Sequence, residues 1–478
     1  MLFHEVFQPF IKQSPISVMF RGTLENVFSS ERLDRLFETT AVRQRTSPVL
    51  FSTCADLLSL VVLTARKSVH AAYQARLDEL TFSVKSVYDK LAGIEPAVSE
   101  RLVRETAVDL ALVLDELGGV GQGPLPGYET RIVDGNHLAG TDHRLGELRR
   151  TGAAPLPGHS LVVLDPQRQL LEDVITCEDG HANERTLLPA LLRRVLQRQC
   201  WMADSNFCTL EFLFEIQDRQ AYFLVRQHGS LKGELQGKRK KVGRCSTGMV
   251  YEQALLLRRK DGTSFTVRRL TIARDKPTGK GEKEVHLLTN LPPKVRATKA
   301  AEAYLDRWNI ETAFQDLATT LRSEINTLGY PKAALFGFCL ALTMFNLLSV
   351  VKAALRTAAK KTQPTKAPPQ NARRKEVKLS NYYLADEVSG VWRGMEIAIP
   401  HEHWEETFGT LTPQQLATKL QWLSSKVDLR RFTTKPWTPK RPQPKRTSGN
   451  RGNHVSTHEI LQQRLKLSKN KRTNVTPS

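Results

Sequence analysis

Apolar residues recur at three- and four-residue spacing through about the first 125 positions. SERLDRLFETT, CADLLSLVVLTARKSVHAAYQA and SERLVRETAVDLALVLDEL each carry a stripe that falls on one side of a 3.6-residue helix. This region is expected to be all-helical. Within it, SVKSVYDKLAGIEPAVSERLV sets two short helical patterns around a turn from Gly93 to Pro96. That spacing is compatible with a helix-turn-helix, although two helices and a turn more often mark simple packing. GGVGQGPLPGYE, from Gly118 to Glu129, is rich in Gly and Pro and reads as a hinge.

Beyond the hinge the period changes. TRIVDGNHL reads as a strand ending at Asp134, and SLVVLDPQRQLLEDVITC as two strands with a turn at Asp165–Gln167. NERTLLPALLRRVLQRQ reads as a helix, CWMADSNF as a strand, TLEFLFEIQ as a helix and AYFLVRQ as a strand. Three strands followed by alternating helix and strand match the order of a ribonuclease-H-like α/β domain. From Gly229 to Pro293 strand patterns return in GMVYEQALLLRR, SFTVRRLTIAR and EVHLLTNL, joined by DGT and GKGEK turns. They form a β-rich insertion ahead of the helix AYLDRWNIETAFQDL (Ala303–Leu317).

Ala333–Val351 (AALFGFCLALTMFNLLSVV) approaches the length of about 20 residues that spans a bilayer. It contains Thr343 and Asn346 and lacks a flanking aromatic belt, which favours a buried core helix and no membrane partner. A basic, Pro-rich stretch (Arg356–Lys378), a helical LTPQQLATKLQWLSSKV and the tail KPWTPKRPQPKRTSGNRGN follow. The expected layout is a helical domain over 1–125, an α/β domain split between 126–228 and 294–355, the insertion at 229–293, and a basic C-terminal region over 356–478.

Composition sharpens the picture through charge. The 70 Lys and Arg against 49 Asp and Glu give a formal +21, which favours a polyanion, nucleic acid first and an anionic membrane surface second. The six cysteines show no CxxC pair and no zinc-ligand spacing, as expected of a reduced interior. MLFHEVFQPFIKQSP lacks the basic and apolar regions of a secretory signal, so a cytoplasmic protein is expected.

Candidate chemistry lies in three places. On the 303–317 helix, Tyr304, Arg307 and Glu311 fall within about 60° of one another. Alone, the Arg307–Glu311 pair is accounted for by an i, i+4 ion pair on a solvated face. Asp134 and Asp204 each close an apolar strand, where a helix cap or turn is the competing reading. If the two strands are neighbours and the Glu311 helix packs across them, three carboxylates meet and repel unless a divalent cation neutralises them. Mg²⁺ prefers such oxygen ligands, and a pair of ions can clamp the attacking and leaving oxygens of a phosphodiester.

IVDGNHLAGTDHRLGELR, WMADSNFCTLEFL and YLDRWNIETAF, in that order and with a β-rich insertion before the last, resemble bacterial insertion-sequence transposases of the DDE superfamily, specifically the insertion-sequence-four family. That family's signature is Tyr, two residues, Arg, three residues, Glu, six residues, Lys; Tyr304, Arg307 and Glu311 match it. The resemblance spans about residues 125 to 350. It implies that Asp134, Asp204 and Glu311 hold Mg²⁺ (with Mn²⁺ able to substitute) and that Tyr304 and Arg307 grip a phosphate near the cleaved end. It also implies cut-and-paste DNA transposition by a homodimer on double-stranded element ends and target DNA, in the bacterial nucleoid. The signature Lys falls on Ala318, so that contact is absent or supplied elsewhere, with Arg322 the nearest candidate. Some relatives stack a flipped base of a DNA hairpin on a Trp in the insertion; here only Tyr251 and Phe265 offer aromatic faces. KGELQGKRKKVGR supplies Lys238, Arg239, Lys240, Lys241 and Arg244 for DNA approach, or forms a solvated loop. His137, Asp142 and His143 read as loop residues. The rival functions are a non-catalytic DNA-binding regulator derived from a transposase and a nuclease that never joins ends.

Overall fold

The computed structural model describes residues 3–43, 47–141, 156–279, 281–362 and 378–434. Two compact units divide the chain, Met1–Thr434 and Lys435–Ser478, and the second lies wholly outside the described residues. So do Asp142, His143, most of the Pro-rich stretch and Trp437.

The N-terminal stripes form helices α1 (Gln8–Gln13), α2 (Pro15–Val27), α3 (Ser30–Thr40), α4 (Phe51–Val62), α5 (Val69–Gln74), α6 (Val84–Gly93) and α7 (Pro96–Leu117). Pro96 opens α7 at the first helical position, and Gly118, at φ 63°, closes it in the left-handed conformation that favours Gly. The pair considered for a helix-turn-helix is therefore α6 and α7. Helix α7 is committed to packing: Val98, Leu102, Leu110, Val113 and Leu114 are buried, and its neighbours include the long helix described below and the sheet edge.

The strands are β1 (Glu129–His137), β2 (His159–Asp165), β3 (Leu170–Cys177), β4 (Gln199–Ala203), β5 (Tyr222–Arg226), β6 (Glu234–Cys245), β7 (Gly248–Arg258), β8 (Ser264–Arg274) and β9 (Glu284–Thr289). They make one nine-stranded sheet in the order β3-β2-β1-β4-β5-β9-β8-β7-β6. β1, β4 and β5 run parallel, and the remaining neighbours are antiparallel. The insertion thus continues the sheet through β5 and β9. It holds four strands where the pattern indicated three, because the basic run is itself the edge strand β6. The helix read from NERTLLPALLRRVLQRQ is shorter than expected: one 3₁₀ turn (Glu184–Leu187) and α8 (Leu188–Leu192). Arg198, at φ 69°, then turns the chain into β4.

Helices α9 (Leu210–Asp218), α10 (Ala297–Ala303), α11 (Trp308–Thr320), α12 (Pro331–Thr362), α13 (Asn381–Ala398), α14 (His401–Trp404) and α15 (Pro413–Ser424) complete the described chain. One face of the sheet (Val133, Val163, Ala203, Val225) packs on α8 and α9. The other (Ile132, Val162, Met202, Leu224) shares a core with α7, α12 and the N- and C-terminal helices. Helix α12 is long and apolar enough to cross a membrane, but its apolar window is entirely buried in the fold. Its polar residue Asn346 faces the edge strand β3: Nδ2 donates to the Leu171 carbonyl at 2.9 Å and Oδ1 accepts the Leu171 N–H at 2.8 Å. A helix thereby supplies the partners that an edge strand otherwise lacks.

Candidate active site

Register brings the two aspartates together. β1 and β4 pair in parallel with Val133 opposite Ala203, so the next residues, Asp134 and Asp204, sit side by side on neighbouring strands. Asp134 does not close its strand as expected; β1 continues to His137, which is a strand residue and not a loop residue. Asp204 does follow the last residue of β4, and it also caps the 3₁₀ turn Ser205–Phe207, accepting the Asn206 N–H at 2.7 Å. The cap reading of Asp204 thus holds, and the cap leaves the residue beside Asp134.

The segment expected as one helix from Ala303 is interrupted. Tyr304–Arg307 form a 3₁₀ turn between α10 and α11. Three residues per turn aligns positions 304 and 307, and both point into the protein, 7% and 6% exposed. The Tyr304 hydroxyl donates to the Ala203 carbonyl at 3.2 Å, which ties this turn to the end of β4. Burial pushes that hydroxyl's pKa well above the usual tyrosine range.

Arg307 bridges two carboxylates. Nη1 donates to Asp134 Oδ2 at 3.0 Å and Nη2 to Glu311 Oε1 at 2.6 Å, while Nε is buried without a partner. The i, i+4 pair is real, but it is half of a bridge centred on a buried guanidinium, with Glu311 itself half-exposed. Asp134 is pushed up to about 6, first by burial. The Arg307 guanidinium and the Gly135 N–H counteract that rise, and the charges of Asp204 and Glu311 add to it.

The carboxylates of Asp134, Asp204 and Glu311 are hard oxygen donors, a set that suits Mg²⁺ or Mn²⁺ in chemistry. Among the described residues no three His, Cys, Asp or Glu side chains converge closely enough to hold a metal ion in this arrangement. Arg307 occupies the gap between Asp134 and Glu311, and its orphaned Nε marks that position as strained in hydrogen-bonding terms.

The other DNA-contact candidates are distributed elsewhere. Arg322 is half-buried and donates to the Lys67 carbonyl beyond the end of α4. Lys238, Arg239, Lys240, Lys241 and Arg244 are exposed along β6. Arg239 stacks over Tyr251 at 4.0 Å and pairs with Glu284 at 2.8 Å, and Arg244 pairs with Asp275. Of the two aromatic residues noted in the insertion, Tyr251 is covered by Arg239 and Phe265 packs edge-on against Phe214 at 4.5 Å. Sequence reasoning missed Glu184, which lies beside the turn that Asp204 caps. Its only signal is an acid in the first turn after an N-cap Asn, the ordinary mark of a helix start.

Residues 125–347 match the family model of the transposase DDE domain, a span that contains Asp134, Asp204, Tyr304, Arg307 and Glu311. The match supports a transposase of the DDE superfamily, a class whose chemistry depends on divalent metal. No curated protein matches the sequence. Among solved structures, the chain is similar to the piggyBac transposase in its synaptic complex with hairpin DNA, with 9% identity over 84% of this chain and 86% of that one and a TM-score of 0.36. A likeness at that level bears on neither fold nor function here.

Proposed function

We propose that the protein is a metal-dependent DDE transposase that cuts and joins DNA, with Asp134, Asp204 and Glu311 as its metal ligands. The observation that carries this reading is the placement of Asp134 beside Asp204 at the parallel β1–β4 pair, with Arg307 linking Asp134 to Glu311 of α11. The strand order β3-β2-β1-β4-β5, with β1, β4 and β5 parallel, supports a ribonuclease-H-like core. The expected chemistry is hydrolysis of a phosphodiester at the element end, yielding a 3′-OH and a 5′-phosphate. The 3′-OH then attacks a target phosphate, forming a new phosphodiester and releasing the target strand's own 3′-OH. Bound divalent cations would neutralise charge that builds on the phosphate in the transition state.

The chain's own residues hold the DNA. Arg307 presents a planar fork that fits two phosphate oxygens as readily as two carboxylates, so DNA and the carboxylates compete for it. Lys238, Lys240 and Lys241 give β6 a row of ammonium groups suited to a phosphate backbone. A homodimer that pairs two ends, a bacterial insertion sequence as the element, and membership of the insertion-sequence-four family with its signature group are part of the same proposal.

The test is cleavage of DNA bearing the gene's own flanking ends, with Mg²⁺ or EDTA, by the parent and by Asp134→Asn, Asp204→Asn and Glu311→Gln. Each substitution should abolish cleavage and spare DNA binding; near-normal cleavage by any one defeats the assignment. The Arg307 bridge, which fills the site with a cation of the protein's own, favours one alternative: a regulator that binds ends and never cuts. Specific binding without cleavage by the parent would establish it. A strand-transfer assay separates the transposase from a nuclease.

A further inference from the structure

Successive side chains of β1 point to opposite faces of the sheet, so Asp134 and Gly135 face different layers. On the face away from Arg307, Gly135 leaves room for a carboxylate: a Cβ there would lie 2.1 Å from Glu184 Oε1. Glu184 therefore lies against the β1 backbone with its side chain only 16% exposed. Its Oε2 accepts from Asn206 Nδ2 at 2.5 Å, and its Oε1 is 3.3 Å from His137 Nε2. Asn206 is held at two further points. Its N–H donates to Asp204 Oδ1 at 2.7 Å, and its carbonyl accepts from Arg185 Nε at 2.8 Å.

We infer that Glu184 is a positioning residue: through Asn206 it clamps the Ser205–Phe207 turn onto β1 and so fixes the direction of the Asp204 carboxylate. The functional consequence rests on the reading of Asp204 as a metal ligand; the clamp itself does not. Glu184 is not placed as a further ligand, because it shares the layer of Gly135 and not that of Asp134. One carboxylate oxygen accepts from the Asn206 amide and the other lies against the His137 ring, so both face β1 and the turn and neither is directed at Asp134. Groups that orient a metal ligand typically cost 10–100-fold in metal affinity when removed.

The experiment uses the full-length chain and its Glu184→Ala, Glu184→Gln and Asn206→Ala variants, with Asp204→Asn as control. Mn²⁺ affinity is read by electron paramagnetic resonance and amide exchange by NMR at Asn206 and Phe207. Glu184→Ala should weaken Mn²⁺ binding by about 10–100-fold and speed exchange at Asn206 by about ten-fold or more. Asn206→Ala, which removes the other half of the contact, should weaken Mn²⁺ equally and speed exchange at Phe207, and it decides the matter if Glu184→Ala fails to fold. Glu184→Gln still accepts from Asn206 Nδ2 and should stay within about three-fold of the parent in both readouts. Unchanged exchange in Glu184→Ala, or a Gln variant as impaired as the Ala variant, overturns the inference. Unchanged Mn²⁺ binding in Asp204→Asn would overturn the metal reading alone, and the exchange data would still decide the clamp.

Discussion

Asp134 carries the sharpest consequence for stability. Its carboxyl is pushed up to about 6 from an ordinary value of 3.8, so the folded chain holds this proton more tightly than the unfolded chain does. Folding is therefore favoured in full below about pH 4, and that contribution is lost as pH rises through 6. The difference amounts to about 3 kcal/mol. Asp134→Asn should stabilise the metal-free protein at pH 7 by up to that amount and leave it unchanged near pH 4. Urea titrations of both proteins across pH 4–8 would show it, and a variant less stable at pH 7 would contradict the account. Glu172, pushed up to about 7 chiefly by burial, adds a dependence of the same sign, but it is common to both proteins and cancels in the comparison. Arg307→Gln should act in the opposite sense at pH 7, by about 3–5 kcal/mol, since it strips the buried carboxylate of its partner. Asp134, Asp204 and Glu311 were legible as candidates because each acid interrupts an apolar pattern. Glu184 was not, since its role depends on strand register and on the missing Cβ of Gly135, which no local period encodes.

Elements were legible where burial imposes an apolar pattern on the sequence, continuous or striped. Strands such as β4, buried along its length, and helices with a clear stripe such as α3 came through the apolar pattern. β6 did not announce itself: exposed along nearly its whole length, it has no alternation of apolar and polar positions to read. The interruption at Tyr304–Arg307 was hidden for a related reason. A 3₁₀ turn and an α-turn place residues three apart on nearly the same side, so the sequence looks helical in either case. Ala318 is exposed in the last turn of helix α11, and on a 3.6-residue helix that position lies over Glu311. Ala318→Lys should therefore add one phosphate contact beside the site. Binding to the flanking-end DNA should tighten, and the slope of log K against log salt should steepen by about one unit. An unchanged slope would mean that DNA does not pass along this face of α11.

At the scale of the molecule, the residues that match the transposase DDE domain are embedded in helices drawn from both ends of the chain. Gly22 of α2 touches the turn after α14: a Cβ there would lie 2.4 Å from the buried ring of Phe408. Gly22→Ala should cost about 1–3 kcal/mol by forcing that ring to shift, visible as a lowered melting temperature. Helix α12 makes the larger point. It is covered by α2, α4, α6, α7 and α15, and Leu335, Phe336, Phe338, Leu340 and Leu342 are all fully or almost fully buried. Each such side chain gains about 1.5–3 kcal/mol from full burial, so removing their cover exposes more apolar surface than a marginally stable domain tolerates. The Gly/Pro-rich stretch at 118–129, read from sequence as a hinge between domains, joins helices and sheet that share this core. A local composition signal marks where the chain bends and is blind to what packs across the bend. Residues 125–347 expressed alone should aggregate or bind a hydrophobic dye without a cooperative melt, whereas residues 1–434 should melt in one transition. A soluble 125–347 fragment with a sharp melt would show that the sheet and the first half of α12 can close a core of their own.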